Sequence, residues 1–532
     1  MGVFISVPKT IECIIIAAAF AVMLCISAYR QLGVLHSSGY SNSKYFKWLK
    51  KKGNLAYERF VLLAMLCALS SAVVGLCFSF TGEWAAVISL SAFVLFFALY
   101  VFADSKIALR SETVFTPRLY RLYAILFLVT AVISYAFVTL LNFADYVWGN
   151  KIFSYLRYCA LALLPVLLIP LMLLSNCIAK IYEIPHNKKF VKRAKAKLAG
   201  SEIKVIAITG SYGKTSTKFI LNSILASKYR VLITPSSHNT PIGIALALNT
   251  HELSDYDIFI AEMGARHLGD IAELCEICPP DISVITGVCG QHIETFLTFQ
   301  NIVKAKGEIL SYTKERAIIS DDCYDLFAEY PCAKSRCACV SEVGSTCTGT
   351  EFTLTFDGRS KRVKTKLLGA HSAYNIGLAA EAAYIAGMSL DEIAEAVGGI
   401  DYIEHRLQPI VSNGVTILDD GYNSNVKGAR AAIEVLKSFN GRKIAVTPGL
   451  VELGVLEEKE NYELGKNLVG LDLVILVGDT LVTPVKRGYA ENGGDAGKIV
   501  LKSTLSDAQE ELKNYIRQGD AVLFLNDLPD VY

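Results

Sequence analysis

The chain has 532 residues, enough for about three to four domains. Its formal net charge is +2, so no basic or acidic excess points to nucleic acid as a partner. Hydrophobic residues make up 52% of the chain; the excess sits in the first third, with Lys and Arg gathered between the apolar runs.

Five stretches reach the roughly 20 apolar residues a helix needs to span a bilayer. They are approximately Ile11–Ala28, Phe60–Phe80, Trp84–Ala103, Leu122–Phe143 and Tyr158–Ile178. Pro165 and Pro170 are expected to kink the fifth. A cleaved signal peptide is the alternative for the first run, but four further spans follow and no small-residue cleavage pattern does. The loops alternate in charge. Arg30, Lys44, Lys47, Lys50, Lys51, Lys52 and Arg59 follow the first run, and Thr81–Glu83 carries no Lys or Arg. Lys106, Arg110, Arg118 and Arg121 lie in the third loop, and only Lys151 and Arg157 in the fourth. Lys180, Lys188, Lys189, Lys192, Arg193, Lys195 and Lys197 follow the last run. Positive charge stays on the cytoplasmic side, so the N-terminus is placed outside and everything after residue 179 in the cytoplasm. The expectation is a multi-pass plasma-membrane protein in contact with lipid, its basic flanks setting topology or receiving an anionic, lipid-linked substrate.

The 14 cysteines are not expected to pair in a cytoplasmic domain. Cys275 and Cys278 form a C-x-x-C without a second pair nearby. Cys332, Cys337, Cys339 and Cys347 form a looser set that does not repeat a zinc-knuckle spacing; buried thiols are the plainer reading.

Residues 181–200 read as a basic linker after a membrane region of residues 1–180. Then β-rich apolar runs (Val205–Thr209, Ile258–Glu262, Ile282–Thr286, Ala317–Ser320) alternate with helical patterns such as Thr215–Ser227. That alternation predicts a mostly parallel sheet covered by helices. Residues 337–368 read as a small antiparallel insertion and Ala373–Ala386 as a helix. A second α/β series supplies strands at Val415–Asp419, Lys443–Thr447, Leu473–Val477, Lys498–Leu501 and Ala521–Leu525, with helices near 427–438, 457–469 and 506–517. The predicted domains are thus 201–408 and a Rossmann-like 409–532.

Between the first strand and its helix lies Thr209-Gly210-Ser211-Tyr212-Gly213-Lys214-Thr215-Ser216-Thr217. Strand, glycine turn and helix in that order form a phosphate loop: glycines admit the phosphates, and amides at the helix start point at the anion. Lys214 would neutralise the β/γ-phosphates and Thr215 would ligate Mg²⁺. The generic phosphate-loop pattern has glycine where this chain has Ile208, so the loop is a variant.

That variant resembles the loop of the Mur ligases, the ATP-dependent amide ligases of peptidoglycan precursor synthesis. Later segments resemble the D-alanyl-D-alanine-adding branch: Asn239–Gly243, Ala261–Ile271, Pro280 and Asp281 leading to His292–Glu294, Ala305–Glu308, Ser320–Asp322, Gly369–His371 with Asn375, Arg406 and Leu407, Asp419–Asn425, and Glu452–Gly454. The resemblance covers roughly residues 203–525. It implies an α/β phosphate-loop central domain, a Rossmann-like C-terminal domain, and ATP with two Mg²⁺ ions. Gly210, Ser211, Gly213, Lys214, Thr215 and Ser216 would hold phosphates; Asn375 would contact adenine, Arg406 the phosphates and Asp420 the ribose. Thr215, Glu262 and His292 would ligate metal, and Lys306 matches the lysine that the family carbamylates, a further anionic ligand. Lys214, Lys306 and His292 would carry the chemistry. The alternative for Lys306 is direct contact of an unmodified ammonium with phosphate, and for Tyr422 and Asn423 simple turn formation.

The sequence also departs from the family. Five apolar runs replace the domain that holds the uridine-diphosphate end of the substrate. Ser372, Asn461 and Thr240 stand where the family has asparagine, histidine and asparagine, and the chain stops at Tyr532 without the branch's usual ending. The reading is an amide ligase joining a cell-wall precursor, soluble or lipid-linked, to an amine such as D-alanyl-D-alanine. The alternatives are a membrane-associated poly-γ-glutamate-type ligase and a membrane nucleotide-binding protein that is no ligase.

Overall fold

The computed structural model describes residues 9–50, 115–148 and 164–525, apart from 237, 291–292, 422–424, 452 and 479–480. They fall into two compact units that meet in sequence at His186 and Asn187.

The first unit is helical. Helices Lys9–Ser27 and Pro117–Trp148 pack through a core of Phe20, Leu24, Leu119, Leu122 and Leu126, to which Leu168 and Met172 of helix Leu164–Ala199 contribute. On Pro117–Trp148, Leu128, Val132, Leu140 and Phe143 are each at least 60% exposed. Leaving such a side chain in water forgoes about 1.5–3 kcal/mol, so this face is suited to hydrocarbon and supports association with a membrane.

The five-span bundle predicted from the sequence is corrected here. Among the described residues two helices are long and apolar enough to cross a membrane, Pro117–Trp148 and Leu167–Ala199, or three if the bent pair Cys13–Ser27 and Tyr29–Ser37 counts as one span. Hydropathy measures apolar length and not straightness: that pair bends by 52°. At the bend Ser27 Oγ donates to the Met23 carbonyl at 3.0 Å, a back-bond that deforms helices. Beyond it Tyr29–Ser37 buries the polar Arg30 and Gln31. The predicted spans Phe60–Phe80 and Trp84–Ala103 lie outside the described residues. The expected linker 181–200 is helical to Ala199, within a helix that accommodates Pro170 and Pro185.

The second unit is α/β. Strands β1 (Lys204–Thr209), β2 (Val231–Ile233), β3 (Ile258–Glu262), β4 (Ile282–Ile285), β5 (Arg316–Ser320) and β6 (Lys334–Cys337) form a parallel sheet in the order β2-β3-β1-β4-β5-β6. Both faces are covered, which is why these strands read as continuous apolar runs. Val205 and Ala207 enter one core with Phe259 and Ala261; Ile206 and Ile208 enter the other with Ile220, Leu221 and Ile224 of helix Lys214–Leu225. Strands β7 (Val340–Thr346), β8 (Gly349–Phe356) and β9 (Arg359–Thr365) form the expected antiparallel insertion. Helix Ala370–Ile385 returns the chain to the central sheet.

The C-terminal sheet consists of β10 (Gln408–Ser412), β11 (Val415–Asp420), β12 (Lys443–Thr447), β13 (Leu473–Val477), β14 (Ile499–Lys502) and β15 (Ala521–Leu525), in the order β10-β11-β15-β12-β13-β14. Only the β10–β11 pairing is antiparallel among these strands. In the central sheet β1 lies between β3 and β4, so successive connections leave it in opposite directions. Ligands of open parallel sheets bind in the crevice at the carboxyl ends of strands beside such a reversal.

Candidate active site at the carboxyl end of the central sheet

β1 ends in the glycine loop, and the backbone there needs both glycines. Gly210 has φ +151°, and a Cβ on it would stand 2.1 Å from Thr286 Oγ1. Gly213 has φ +77°, and a Cβ would stand 2.7 Å from Asn375 Oδ1. Gly213 caps helix Lys214–Leu225, whose first amides have no carbonyl partners within the helix. Lys214 folds back over the loop, its ammonium donating to the Gly210 carbonyl at 2.7 Å.

Strand register brings Glu262 beside this loop: β1 and β3 run parallel with Ile208 opposite Glu262. The carboxylate is 1% exposed. It accepts from Thr215 Oγ1 at 3.1 Å through either oxygen and from Asn239 Nδ2 at 3.3 Å, and it pairs with Lys218 Nζ at 3.1 Å. Lys218 is 0% exposed; it also donates to the Thr234 carbonyl at 3.0 Å and to the Ser236 carbonyl. Two oxygens bound side by side to one octahedral Mg²⁺ at about 2.1 Å stand about 3.0 Å apart. The 3.1 Å spacing of the Thr215 hydroxyl and the Glu262 carboxylate fits that donor set.

The loop opens on a cavity of about 350 Å³ lined by Gly210, Ser211, Lys214, Asn239, Arg266 and Lys306, among others. Lys306 is 3% exposed. Burial, reinforced by the charge of Lys214, lowers its pKa from the usual 10.5 to about 7, against the pull of Asp270. Burial also lowers Lys214 and Lys218; Glu262 opposes both shifts, and the Arg406 charge adds to them.

Of the predicted residues, Gly210, Ser211, Lys214 and Lys306 line this cavity; Gly213, Thr215 and Ser216 belong to the same loop and first helical turn, Glu262 contacts Thr215, and Asn375 lies beside Gly213. Arg406 reaches Lys214 electrostatically. Asp420, the last residue of β11, accepts from the Leu407 amide at 3.2 Å and so braces the segment carrying Arg406. His292, Tyr422, Asn423 and Glu452 lie outside the described residues.

The sequence reading missed two residues. Lys218 stands one turn after Lys214 on a helix that otherwise buries Ile220, Leu221 and Ile224; a charge on that face was the available signal. Lys427, on the C-terminal domain's helix Val426–Lys437, pairs with Asp322 at 2.6 Å and donates to the hydroxyl of Tyr212 at 2.9 Å. Tyr212 itself donates to Asp322. The loop tip is thereby tied to the second α/β domain.

Two domain families match this unit. Residues 208–383 match the Mur ligase middle domain, and residues 405–526 the Mur ligase glutamate ligase domain. The UDP-N-acetylmuramoyl-tripeptide–D-alanyl-D-alanine ligase of Escherichia coli is 29% identical over 334 residues, 59% of this chain and 74% of that protein. The Bacillus subtilis enzyme of the same name is 29% identical over 62% of this chain and 74% of its own. The crystal structure of the MurF ligase of Thermotoga maritima in complex with ADP is 28% identical, with a TM-score of 0.58 over 65% of this chain and 81% of that one. An Acinetobacter baumannii MurF structure is 27% identical, with a TM-score of 0.57 over 64% and 77%. This chain belongs to the Mur ligase family and is an enzyme of its ATP-dependent acid–amino-acid ligase type.

Proposed function

We propose that the protein is a membrane-associated ligase that uses ATP to activate the carboxylate of a peptidoglycan precursor as an acyl phosphate and joins it to D-alanyl-D-alanine or a related amine. The observation that carries this reading is the pairing of Thr215 with Glu262 at the end of the loop whose Lys214 lines one cavity together with Lys306. The relatives' names supply the precursor and the amine. The positive flanks of the apolar runs favour a cytoplasmic site. The domains follow as a membrane region to residue 180, a central domain over 201–408 and a C-terminal domain from 409.

A carboxylate and an ammonium at neutral pH form an ion pair and not an amide. In the proposed route a carboxylate oxygen of the precursor attacks the γ-phosphorus and ADP leaves. The neutral amine then attacks the acyl carbon, and phosphate departs. The phosphoryl step concentrates charge on oxygens, which fixed cations stabilise. Lys214 is assigned to the phosphates, with Gly210, Ser211, Gly213 and Ser216 supplying the loop. Lys218 and Asn239 hold the Glu262 carboxylate beside Thr215, where the two would offer oxygens to one Mg²⁺, and His292 and carbamylated Lys306 would hold a second. Mg²⁺, when bound, supplies charge neutralisation at the transferring phosphoryl group. The lowered Lys306 pKa supports carbamylation, since CO₂ adds only to a neutral amine. Asn375, Arg406 and Asp420 are assigned to adenine, phosphates and ribose.

The test is ADP release by the detergent-purified full chain across a panel of muramoyl peptides and amines, with Lys214→Ala as control. Turnover is expected to need an acceptor carboxylate and an amine together, and to vanish in the variant. Turnover satisfied by glutamate oligomers alone supports the poly-γ-glutamate alternative. Turnover indifferent to both substrates refutes the ligase route.

A further inference from the structure

Among the described residues one cluster of metal-ligating side chains lies outside the nucleotide crevice: Cys337, Cys339 and Glu381. Cys337 ends β6, the edge strand of the central sheet, and Cys339 follows two residues later. Glu381 lies on helix Ala370–Ile385, one turn beyond Gly377. The two sulfurs are 3.8 Å apart, and each ligand atom, including a Glu381 oxygen, is within 4.8 Å of the others. The looser cysteine set seen in the sequence thus resolves into two thiols and a carboxylate from a distant helix, without Cys332 and Cys347.

Three features favour a built site over accidental proximity. Gly377 lets the helix descend onto the thiols: a Cβ there would stand 2.5 Å from Val340 Cγ2 and 3.3 Å from Cys339 Sγ. Ser335 Oγ donates to Glu381 at 2.5 Å, the kind of outer partner that orients a ligating carboxylate. The spacing is also right. A tetrahedral ion with metal–sulfur bonds of about 2.3 Å holds its sulfurs about 3.8 Å apart, and a sulfur and a carboxylate oxygen about 3.6 Å apart. The thiols already meet the first distance, and a Glu381 oxygen lies within 4.8 Å of both sulfurs, so that a small inward shift would complete the second.

We infer that Cys337, Cys339 and Glu381 form a site for a thiophilic divalent cation of the zinc class, with three protein ligands and a fourth position for water. Cys337 and Glu381 are half-buried, which gives the ion access, while Cys339 is buried. Thiolates select against Mg²⁺, so this site is chemically separate from the one around Glu262. Its ligands join the sheet edge to the helix that carries Asn375, and occupancy would clip the two together.

The test titrates the reduced, metal-stripped full chain in detergent with Co²⁺ alone. One equivalent is expected to give thiolate-to-cobalt charge-transfer absorption and tetrahedral d–d bands, both bleached by Zn²⁺. Cys337→Ser and Cys339→Ser should abolish the bands, and Glu381→Gln should weaken binding at least about tenfold. The double variant Cys275→Ser/Cys278→Ser should leave the bands intact. Cys339 packs in the core, so Glu381→Gln, with its fold checked by circular dichroism, serves as the variant independent of folding. Bands that survive Cys337→Ser, bands lost only with Cys275 and Cys278, or a Cys337–Cys339 disulfide in place of metal uptake would each overturn the assignment.

Discussion

Replacing Lys218 by Met keeps most of the aliphatic stem and deletes the charge that faces Glu262. In the native protein the two groups are 0% and 1% exposed and 3.1 Å apart. Without Lys218, the carboxylate retains only the Thr215 hydroxyl and the Asn239 amide of its described partners. Breaking a buried pair from one side costs about 3–5 kcal/mol, because the surviving charge stays desolvated. At roughly 2–4 °C per kcal/mol for a domain of this size, the melting temperature of the full chain in detergent should fall by about 10 °C. The double variant Lys218→Met/Glu262→Gln removes both charges and should recover more than half of that loss, since contacting residues are not additive. Recovered stability should not bring recovered activity if Glu262 ligates metal. A Lys218→Met shift below about 2 °C, or a double variant as unstable as the sum of the singles, would refute the claim that the pair is held by mutual compensation.

For Lys306, the folded pKa of about 7 lies below its usual 10.5. Between those values the unfolded chain binds more protons, so stability should rise with pH across that window, and Lys306→Met should flatten the rise. On the proposed reading, ¹³C-bicarbonate label should enter the protein increasingly from pH 6 to 8 and be absent from Lys306→Arg; pH-independent labelling would count against it. Gly213→Ala forces a side chain into a left-handed turn against Asn375 Oδ1 at a cost of roughly 1–2 kcal/mol before any displacement. Titration should then show at least about tenfold weaker ATP binding, partly relieved by adding Asn375→Ala. Lys427→Ala breaks an ion pair between partly exposed groups and should leave the melting temperature within about 2–3 °C. It should raise KM for ATP severalfold, because Tyr212 loses its tie to the C-terminal domain; unchanged KM would dismiss that tie.

The loop around Gly213 was legible because its chemistry is local: a strand, two glycines and a lysine at fixed spacing determine where phosphate can sit. The pairing of Glu262 with Lys218 was not, since it depends on the register of β1 against β3, which no local pattern reveals. Helix Val482–Glu491 is absent from the sequence reading; its Pro484 falls in the first turn, where no amide partner is lost. The three substituted positions among the departures from the family pattern became interpretable only in three dimensions. Thr240 caps helix Pro241–Thr250 by accepting from the Gly243 amide. Ser372 Oγ donates to the Leu368 carbonyl at 2.7 Å. Buried Asn461 exchanges hydrogen bonds with both backbone groups of Leu450. The membrane region failed for the opposite reason: hydropathy registers apolar length, but the Ser27 bend and the buried Arg30 and Gln31 are tertiary facts.

The cations of the crevice couple the protonation of its lysines to one another. Lys214 lowers the pKa of Lys306, and Arg406 lowers those of Lys214 and Lys218; each charge makes its neighbours harder to protonate. Burial is the larger cause of the Lys306 shift, so a triphosphate placed at Lys214 would offset only the smaller part that the Lys214 charge contributes. At pH 7 its neutral fraction is on the order of a thousandfold above that of an ordinary lysine, and nucleotide would take back only the share due to the Lys214 charge. By reciprocity of linkage, a neutral Lys306 weakens nucleotide binding, and a carbamate that recruits metal strengthens it. On the proposed reading, therefore, CO₂ adds to Lys306 more readily before ATP enters than after, and the modified lysine would then supply the anionic charge that the metal of the triphosphate requires.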